Sequence, residues 1–135
     1  NEELKNYLYP ERLNSLMLKK FFSKNSKLFA IEEKGQIIAY TWLHQNFDPD
    51  GDISLLGVSD YYITGPAFVD INFRGRGLIK KLKNCINLYA KELNGKPIYA
   101  SNQFDNIPII KINVSEGYRL VNIIIRLKKG DPIIL

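Results

Sequence analysis

A strand, a glycine-rich turn and a helix follow one another without a break in the middle of the chain, and this succession limits the possible folds more than any other feature. Residues 61–71 are rich in aromatic and β-branched side chains, which predicts a long strand. The turn has the sequence Arg74-Gly75-Arg76-Gly77. From residue 77 to residue 93 the apolar side chains recur mainly on one face and the lysines lie largely off it, which predicts an amphipathic helix.

The start of this helix predicts a binding site for an anion. The first N–H groups of a helix have no acceptor within it, and the helix dipole places partial positive charge at the same end. Glycines let a ligand approach the backbone, and Arg74 and Arg76 add fixed positive charge, so a pyrophosphate fits the turn. The dinucleotide fingerprint would need glycine where Lys80 stands, and a Walker loop would need glycine, lysine and a hydroxyl residue in succession. Neither motif is present.

The other segments predict a single α/β domain, of the α+β kind, over residues 1–135. Before the long strand we expect two short helices broken near Pro10 (residues 2–22), a hairpin (28–43) and an irregular connection rich in aspartate (48–59). After the amphipathic helix we expect a strand (97–100), a helix (106–116) and a last strand (118–127). Inside the long strand, Gly65-Pro66 predicts a bulge or splay, because proline cannot donate to a strand ladder.

Charge and composition exclude several classes of function. The net charge of +5 suits an anionic partner, but it does not distinguish a phosphorylated cofactor from nucleic acid or a lipid surface. With one histidine and one cysteine the chain lacks a zinc ligand set, so we expect no metal, and Cys85 should be a buried thiol. No apolar run approaches the ~20 residues of a membrane span, so we expect a cytoplasmic protein. Because the chain begins with Asn1 rather than methionine, we also expect further residues before it.

Two segments of the chain resemble the GNAT superfamily of acyl-CoA N-acyltransferases. Residues 74–79 are similar to the family's phosphate-binding pattern, [QR]-x-x-G-x-[GA], except that Ile79 stands where a small residue is usual. The segment from Asn106 to Tyr118 is similar to the family's late helix, N-x-x-[AS]-x-x-x-[YF]-x-x-x-G-[FY], although Asn113 stands at the usual tyrosine. The order of elements is also similar, so the resemblance covers about residues 28–127.

The resemblance implies a fold and a reaction. The fold is a mixed, largely antiparallel central sheet flanked by helices; the family's usual first strand is not visible, so either the chain lacks it or another segment replaces it. The reaction is transfer of an acyl group to a primary amine, with acetyl-CoA or a longer acyl-CoA as co-substrate. The splayed strand would grip the pantetheine arm and polarise the thioester, and the turn would hold the pyrophosphate. The implied CoA-binding residues are Val69, Asp70, Ile71, Arg74, Gly75, Arg76, Gly77, Leu78 and Asn106.

Catalytic residues are harder to assign from the sequence. The family often uses a tyrosine on the late helix as proton donor and a carboxylate on the strand before the turn as base. This chain has Asn113 at the first place and no acid at residues 62–64. The remaining candidates are Asp60, Tyr62 and His44, the last because an unperturbed imidazole titrates near pH ~6.5. Each also has a plain structural interpretation, as a solvated acid or a packing residue, and so has Asp70.

Two other classes of function stay open. A degenerate module that binds acyl-CoA, or regulates through it, without transfer is favoured by Ile79 and Asn113. A nucleic-acid binder is favoured by the basic residues near the helix start, but no known motif accompanies them, so we expect neither nucleic acid nor a membrane as partner. For the transferase we expect a small-molecule or peptide amine as acceptor, bound by the N-terminal helices, residues 48–59 and the last strand. The sequence allows a homodimer.

Overall fold

The structure, a computed structural model, describes residues 15–93, 95–125 and 133–134. In this part of the chain the elements follow in the order α1 (Ser15–Phe22), β1 (Ser26–Glu33), β2 (Gln36–Gln45), β3 (Tyr62–Val69), α2 (Leu78–Leu93), β4 (Ile98–Ala100), α3 (Ile107–Ser115), β5 (Ile124–Ile125) and β6 (Ile133–Ile134). Two short 3₁₀ turns cover Ile53–Leu56 and Ile71–Phe73. The first of the two predicted N-terminal helices and the predicted closing residues 126–132 lie outside the described residues.

The central sheet has four strands in the order β1-β2-β3-β4. β1 and β3 are antiparallel to β2, and β4 is parallel to β3. The predicted β1–β2 hairpin closes through Lys34 and Gly35, both with positive φ, which is the backbone that a two-residue hairpin turn requires. The prediction of a mixed, largely antiparallel sheet is therefore confirmed.

The predicted irregularity in the long strand lies at Gly65-Pro66. Thr41 pairs with Ala67 and Leu43 with Thr64, so the two residues between them on β3 oppose one residue on β2. This is a β-bulge, as the proline indicated. On its other side β3 pairs with β4 only through residues 62–64, opposite residues 98–100. Residues 65–69 continue beyond the last residue of β4, so in the described part of the chain no strand pairs with this edge of β3 there.

Helices cover both faces of the sheet. α1 contributes Phe21 to a cluster with Tyr40, Trp42 and Phe68, and the rings of Phe21 and Trp42 meet edge to face at 4.9 Å between centroids. α2 packs on the other face through a second cluster, formed by Leu43, Tyr62, Ile86 and Ala90. Because both faces of β2 are covered, residues 38–44 are all buried. The predicted flanking helices are thus present.

Helix α2 carries the main differences between prediction and structure. Its buried residues are Leu82, Lys83, Ile86 and Ala90, so one lysine belongs to the packed stripe. The prediction that Cys85 is buried is wrong, because this stripe leaves position 85 on the other side of the helix, where the cysteine is exposed.

The last predicted strand is only partly found. Residues 118–123 form neither helix nor strand, and β5 pairs with β6 in a separate two-stranded antiparallel sheet. Apolar and β-branched residues form a strand only where a neighbouring strand accepts their backbone hydrogen bonds, and Leu120 and Val121 are instead exposed. Among the described residues, no helix combines the length and the apolar character that a membrane span needs.

Candidate functional site

The end of β3 is fixed by Asp70. Its N–H donates to the carbonyl of Ile38 at 2.7 Å, and its carboxylate accepts from the N–H of Asn72 at 2.8 Å, which caps the short 3₁₀ turn. The side chain is only 2% exposed. The interpretation of Asp70 as a solvated acid is therefore wrong, because the carboxylate is used inside the turn that leads to the glycines.

The glycine turn has the geometry that an anion site requires. Gly75 and Gly77 have φ of +79° and +71°, a region that favours glycine, and α2 starts at the next residue. The first bond of the helix runs from the N–H of Lys81 to the carbonyl of Gly77 at 3.1 Å, so the preceding N–H groups have no acceptor within the helix. The first turn of α2 contains no acidic residue. Its partial positive charge is thus not neutralised locally.

The two arginines of the turn are held by contacts within the protein. The Nε of Arg74 donates to the carbonyl of Val69 at 3.1 Å, and the guanidinium of Arg76 lies 4.9 Å from the ring centre of Phe73. Both arginines are exposed. Both guanidinium groups therefore lie exposed beside the helix start, where a ligand can contact them with little rearrangement of the two side chains.

The open edge of β3 leads from this turn to the point where β4 begins to pair. Because Asp70 bonds to β2, strand alternation directs the backbone groups of Phe68 to β2 and those of Ala67 and Val69 to the opposite edge. Residues 65–69 extend over roughly 16 Å at the usual rise of a strand. Of the backbone groups predicted to bind CoA, that of Val69 faces the open edge, whereas the N–H of Asp70 faces away from it.

A buried lysine lies at the inner end of this edge. Lys83 is 3% exposed, and its Nζ donates to the Oγ1 of Thr64, the last β3 residue paired with β4, at 3.3 Å. The same nitrogen lies 5.2 Å from the ring centre of Tyr118. Burial lowers the pKa of Lys83 to about 8, although the charge of Glu116 acts in the opposite direction.

Two more polar side chains with buried atoms belong to Asn113, in α3, and to Tyr118, shortly after that helix. The N–H of Tyr118 donates to the carbonyl of Asn113 at 2.9 Å, which ties the residues after α3 to the helix. The Oδ1 of Asn113 is buried without a hydrogen bond in the described part of the chain, and so is the Tyr118 hydroxyl, which lies near Thr64 outside hydrogen-bond geometry. Burial raises the pKa of Tyr118 to about 12. At the place where the sequence resemblance expects a tyrosine, the chain has the buried amide of Asn113.

Sequence analysis did not single out Lys83, although a signal was present. Ile79, Lys83, Ile86 and Ala90 follow one another at spacings of four, three and four residues, which is the spacing of one helical face. The prediction that the lysines of this helix lie largely off its apolar face is wrong for Lys83. Its spacing from Ile79, Ile86 and Ala90 indicates a packed position.

Asn106 lies at the start of α3. It is the residue before the helix, is exposed, and makes no side-chain capping bond, so its amide is available to a ligand. Its N–H donates to the carbonyl of Gln103 at 3.0 Å, and its carbonyl accepts from Ile110 at 3.2 Å. The backbone is therefore fixed while the side chain is not.

Asp60 and Tyr62 both lie at the start of β3, at the end opposite to the glycine turn. Asp60 forms an ion pair with Lys96, and the hydrogen bond from Lys96 holds the pKa of Asp60 below its usual range. Such a carboxylate is ionised and a weak base. Tyr62 is buried in the core cluster against α2. The structure brings neither residue to the turn.

His44 is buried beneath the bulge and bonded on both sides. The carbonyl of Gly65 can only accept, so Nε2 donates to it at 2.7 Å, and Nδ1 accepts from the hydroxyl of Ser26 at 2.6 Å. Burial lowers the pKa of His44, although the Gly65 carbonyl acts in the opposite direction. A neutral imidazole thus fixes the backbone of the bulge from the α1 face, and no ring nitrogen is left for a substrate.

Several solved structures that share this fold are named as acetyltransferases. The aminoglycoside acetyltransferase AAC(6')-Iy, in complex with a bisubstrate analogue, has a TM-score of 0.70 over 96% of this chain and 88% of its own, at 16% identity. AAC(6')-IG from Acinetobacter haemolyticus has a TM-score of 0.66 over 97% and 94%, at 16% identity. The ribosomal-protein-alanine N-acetyltransferase of Brucella melitensis biovar Abortus 2308 has a TM-score of 0.63 over 92% and 88%, at 13% identity.

The comparisons define a fold. No family model and no curated protein sequence matches the chain. The structures with the highest coverage are 13–17% identical to this chain, and at such low identity structural similarity shows only a shared fold. The chain has the acyl-CoA N-acyltransferase fold of the GNAT acetyltransferases, and the resemblance drawn from residues 74–79 and from the late helix is confirmed at that level.

Proposed function

We propose that this protein is an acyl-CoA-dependent N-acyltransferase, which moves an acetyl or other acyl group from CoA to a primary amine. One observation carries the proposal: a basic helix start without acidic residues lies at the end of a strand whose other edge is open. A phosphate group fits the first feature, and an extended chain of amides fits the second. CoA contains both.

The residues present suit CoA. Its pyrophosphate would be held by the N–H groups at the start of α2, with Arg74 and Arg76 beside them, and Gly75 and Gly77 would leave room for it. The amides of the pantetheine arm would pair with the open edge of β3, where Ala67 and Val69 present their backbone groups. Bound CoA supplies the activated acyl group as a thioester. The protein's part is to orient it, and backbone N–H groups at the bulge would polarise its carbonyl.

A small amine is the first class of acceptor to test. Among the proteins with this fold, AAC(6')-Iy has been solved with a bisubstrate analogue of CoA and an acetylated aminoglycoside fragment. Asp48, in the loop expected to border the acceptor, is poorly suited to bind a cationic amine, because its carboxylate already accepts from the N–H groups of Asp50 and Ile53. A peptide N-terminus is the second class, which the ribosomal-protein-alanine N-acetyltransferase represents.

A module that binds acyl-CoA without transfer is the second candidate function. Asn113 favours it, because an amide has no proton to donate to a leaving thiolate near neutral pH. Both functions require CoA binding, and only the first produces free CoA thiol. Titration calorimetry with CoA and 3′-dephospho-CoA, followed by a free-thiol assay with acetyl-CoA and a panel of amines, separates the two.

The site assignment is tested by a pair of glycine variants at the two ends of α2. Gly77 and Gly95 have similar φ, +71° and +65°, and a Cβ at either would meet no atom within 4 Å. Gly77→Val and Gly95→Val should therefore lose similar stability, about 1–2 kcal/mol for the left-handed backbone. We expect only Gly77→Val to weaken CoA binding, by tenfold or more (about 1.4 kcal/mol). Equal CoA affinity in the two variants would contradict the assignment.

A further inference from the structure

The feature of the molecule that most needs an explanation is the buried side-chain nitrogen of Lys83, which lies where the pairing of β3 with β4 ends. Lysine is seldom buried without a carboxylate partner, and Lys83 has a neutral hydroxyl, Thr64, as its hydrogen-bond acceptor. Glu116 acts on it from the residues after α3, but only through its charge. Packing does not explain the lysine, since an apolar side chain would fill the same place on the stripe without the desolvation of a cation.

The position of Lys83 relative to the turn indicates a role for this lysine in the CoA site, an inference that rests on the proposed function. An arm that starts at the phosphates and follows the open edge of β3 runs from Val69 towards Thr64 over about 16 Å. It ends where β4 begins to pair, because the edge is closed from there on. The sulfur of CoA is at the end of that arm. The Nζ of Lys83 lies beside this end of the edge, on the face of the sheet that α2 covers, at 3.3 Å from the Oγ1 of Thr64.

We propose that Lys83 contacts the CoA sulfur and protonates it when the acyl group leaves. In this step the carbon–sulfur bond breaks as the acceptor nitrogen bonds to the acyl carbon, and sulfur keeps the electron pair. The Lys83 ammonium gives one proton to sulfur and becomes a neutral amine. The proton that the acceptor nitrogen loses on becoming an amide then restores the ammonium through solvent, so charge and protons balance.

The charges around Lys83 fit this role. The titratable groups that face it are Tyr118 and Glu116, both on the residues that follow α3. Burial brings the pKa of the lysine to about 8, close to the value of about 8.5 for a cysteine thiol, so the proton passes between groups of similar acidity. Tyr118, with a pKa of about 12, is roughly ten-thousand-fold less acidic. Asn113, at the expected place of the acid, has no such proton.

The test measures the acidity of bound CoA and needs no acceptor amine. The wild type and Lys83→Met are saturated with CoA, and the ultraviolet absorbance of the thiolate is followed against pH. The complex with desulfo-CoA, which lacks the sulfur, serves as blank for the tyrosines. Lys91→Met, an exposed lysine in the last turn of the same helix, is the matched control. A methionine side chain has nearly the length of lysine without the charge.

We expect the thiol of bound CoA to titrate at least about one pH unit below free CoA in the wild type and in Lys91→Met. In Lys83→Met this shift should disappear, while the affinity for desulfo-CoA stays within about threefold of the wild type. The same thiol pKa in all three proteins would overturn the inference and leave the CoA site intact. A loss of affinity for both ligands in Lys83→Met would also overturn it, because the lysine would then act on the whole arm. If the wild type binds no CoA, the proposed function itself fails.

Discussion

Removing the charge of Lys83 should stabilise the folded protein at neutral pH. The pKa of this lysine falls from 10.5 to about 8 on folding, because burial disfavours the ammonium. Each tenfold change in proton affinity corresponds to about 1.4 kcal/mol, so at pH 7 the buried ammonium lowers the free energy of unfolding by roughly 3 kcal/mol. Lys83→Met also loses the hydrogen bond to Thr64, about 1 kcal/mol. The variant should therefore be about 2 kcal/mol more stable than the wild type at pH 7.

A charged group that gains a partner on folding usually stabilises the protein, whereas the buried ammonium of Lys83 destabilises it. This destabilisation depends on pH and can therefore be measured separately. Between pH 8 and 10.5 the unfolded chain still binds the proton that the folded protein has released, so the stability of the wild type rises with pH across this window. By pH 10 the contribution of the buried charge falls below about 1 kcal/mol. The advantage of Lys83→Met over the wild type should shrink by about 2.5 kcal/mol from pH 7 to pH 10.

Urea unfolding of both proteins at the two pH values measures this difference, and every other titrating group cancels in the comparison. Lys91→Met again serves as control, since its lysine is exposed and its stability should follow that of the wild type at both pH values. An advantage of Lys83→Met that is the same at pH 7 and pH 10 would refute the reasoning, because it would mean that the lysine nitrogen is solvated in the folded protein.

Three further predictions concern residues for which the sequence and the structure disagree or leave a choice. Burial lowers the pKa of His44 below 6.5, so as pH falls the unfolded chain binds a proton before the folded protein does. The stability of the wild type relative to His44→Gln should therefore be constant above pH 7 and should fall as pH drops below 6.5. Urea unfolding at pH 7.5 and pH 5 measures this difference. Asp70→Ala should reduce the free energy of unfolding by about 1–2 kcal/mol through loss of the cap on Asn72, and a stability equal to that of the wild type would argue against the cap. Cys85 should react with a small disulfide reagent in the folded protein within the time that a free thiol requires, whereas protection until unfolding would restore the prediction of a buried thiol.

Local chemistry made the turn and the bulge predictable. Gly75 and Gly77 indicate a backbone with positive φ, which other residues avoid, and Pro66 indicates a break in the hydrogen-bond ladder of a strand. Each signal comes from a single residue type. The start of α2 and the order of strands β1 to β4 followed from such signals and from periodicity. The anion site is therefore a prediction that the sequence alone allows.

The remaining features depend on contacts that sequence periodicity does not show. The partner of Asp70 is Ile38, thirty-two residues earlier on β2, and only the sheet brings the two together. The catalytic candidates Asp60 and Tyr62 precede the turn on the same strand, but the ion pair of Asp60 with Lys96 and the packing of Tyr62 against α2 arise only in the fold. Lys83 belongs to the packed stripe of α2, whereas the sequence predicts that the lysines of this helix lie largely off its apolar face.

The bulge at Gly65-Pro66 also shifts the alternation of residue numbers between the two faces of β3. Tyr62 lies in the core against α2, whereas Phe68, six residues later and of the same parity, lies in the core against α1. In an uninterrupted strand two such residues would share one face. If one of the two bulge residues were absent, β3 would be a regular strand in which Thr64 and Phe68 are three positions apart and still lie on opposite faces. The extra residue therefore alters the backbone of β3 at the bulge and leaves the assignment of its side chains to the two cores unchanged.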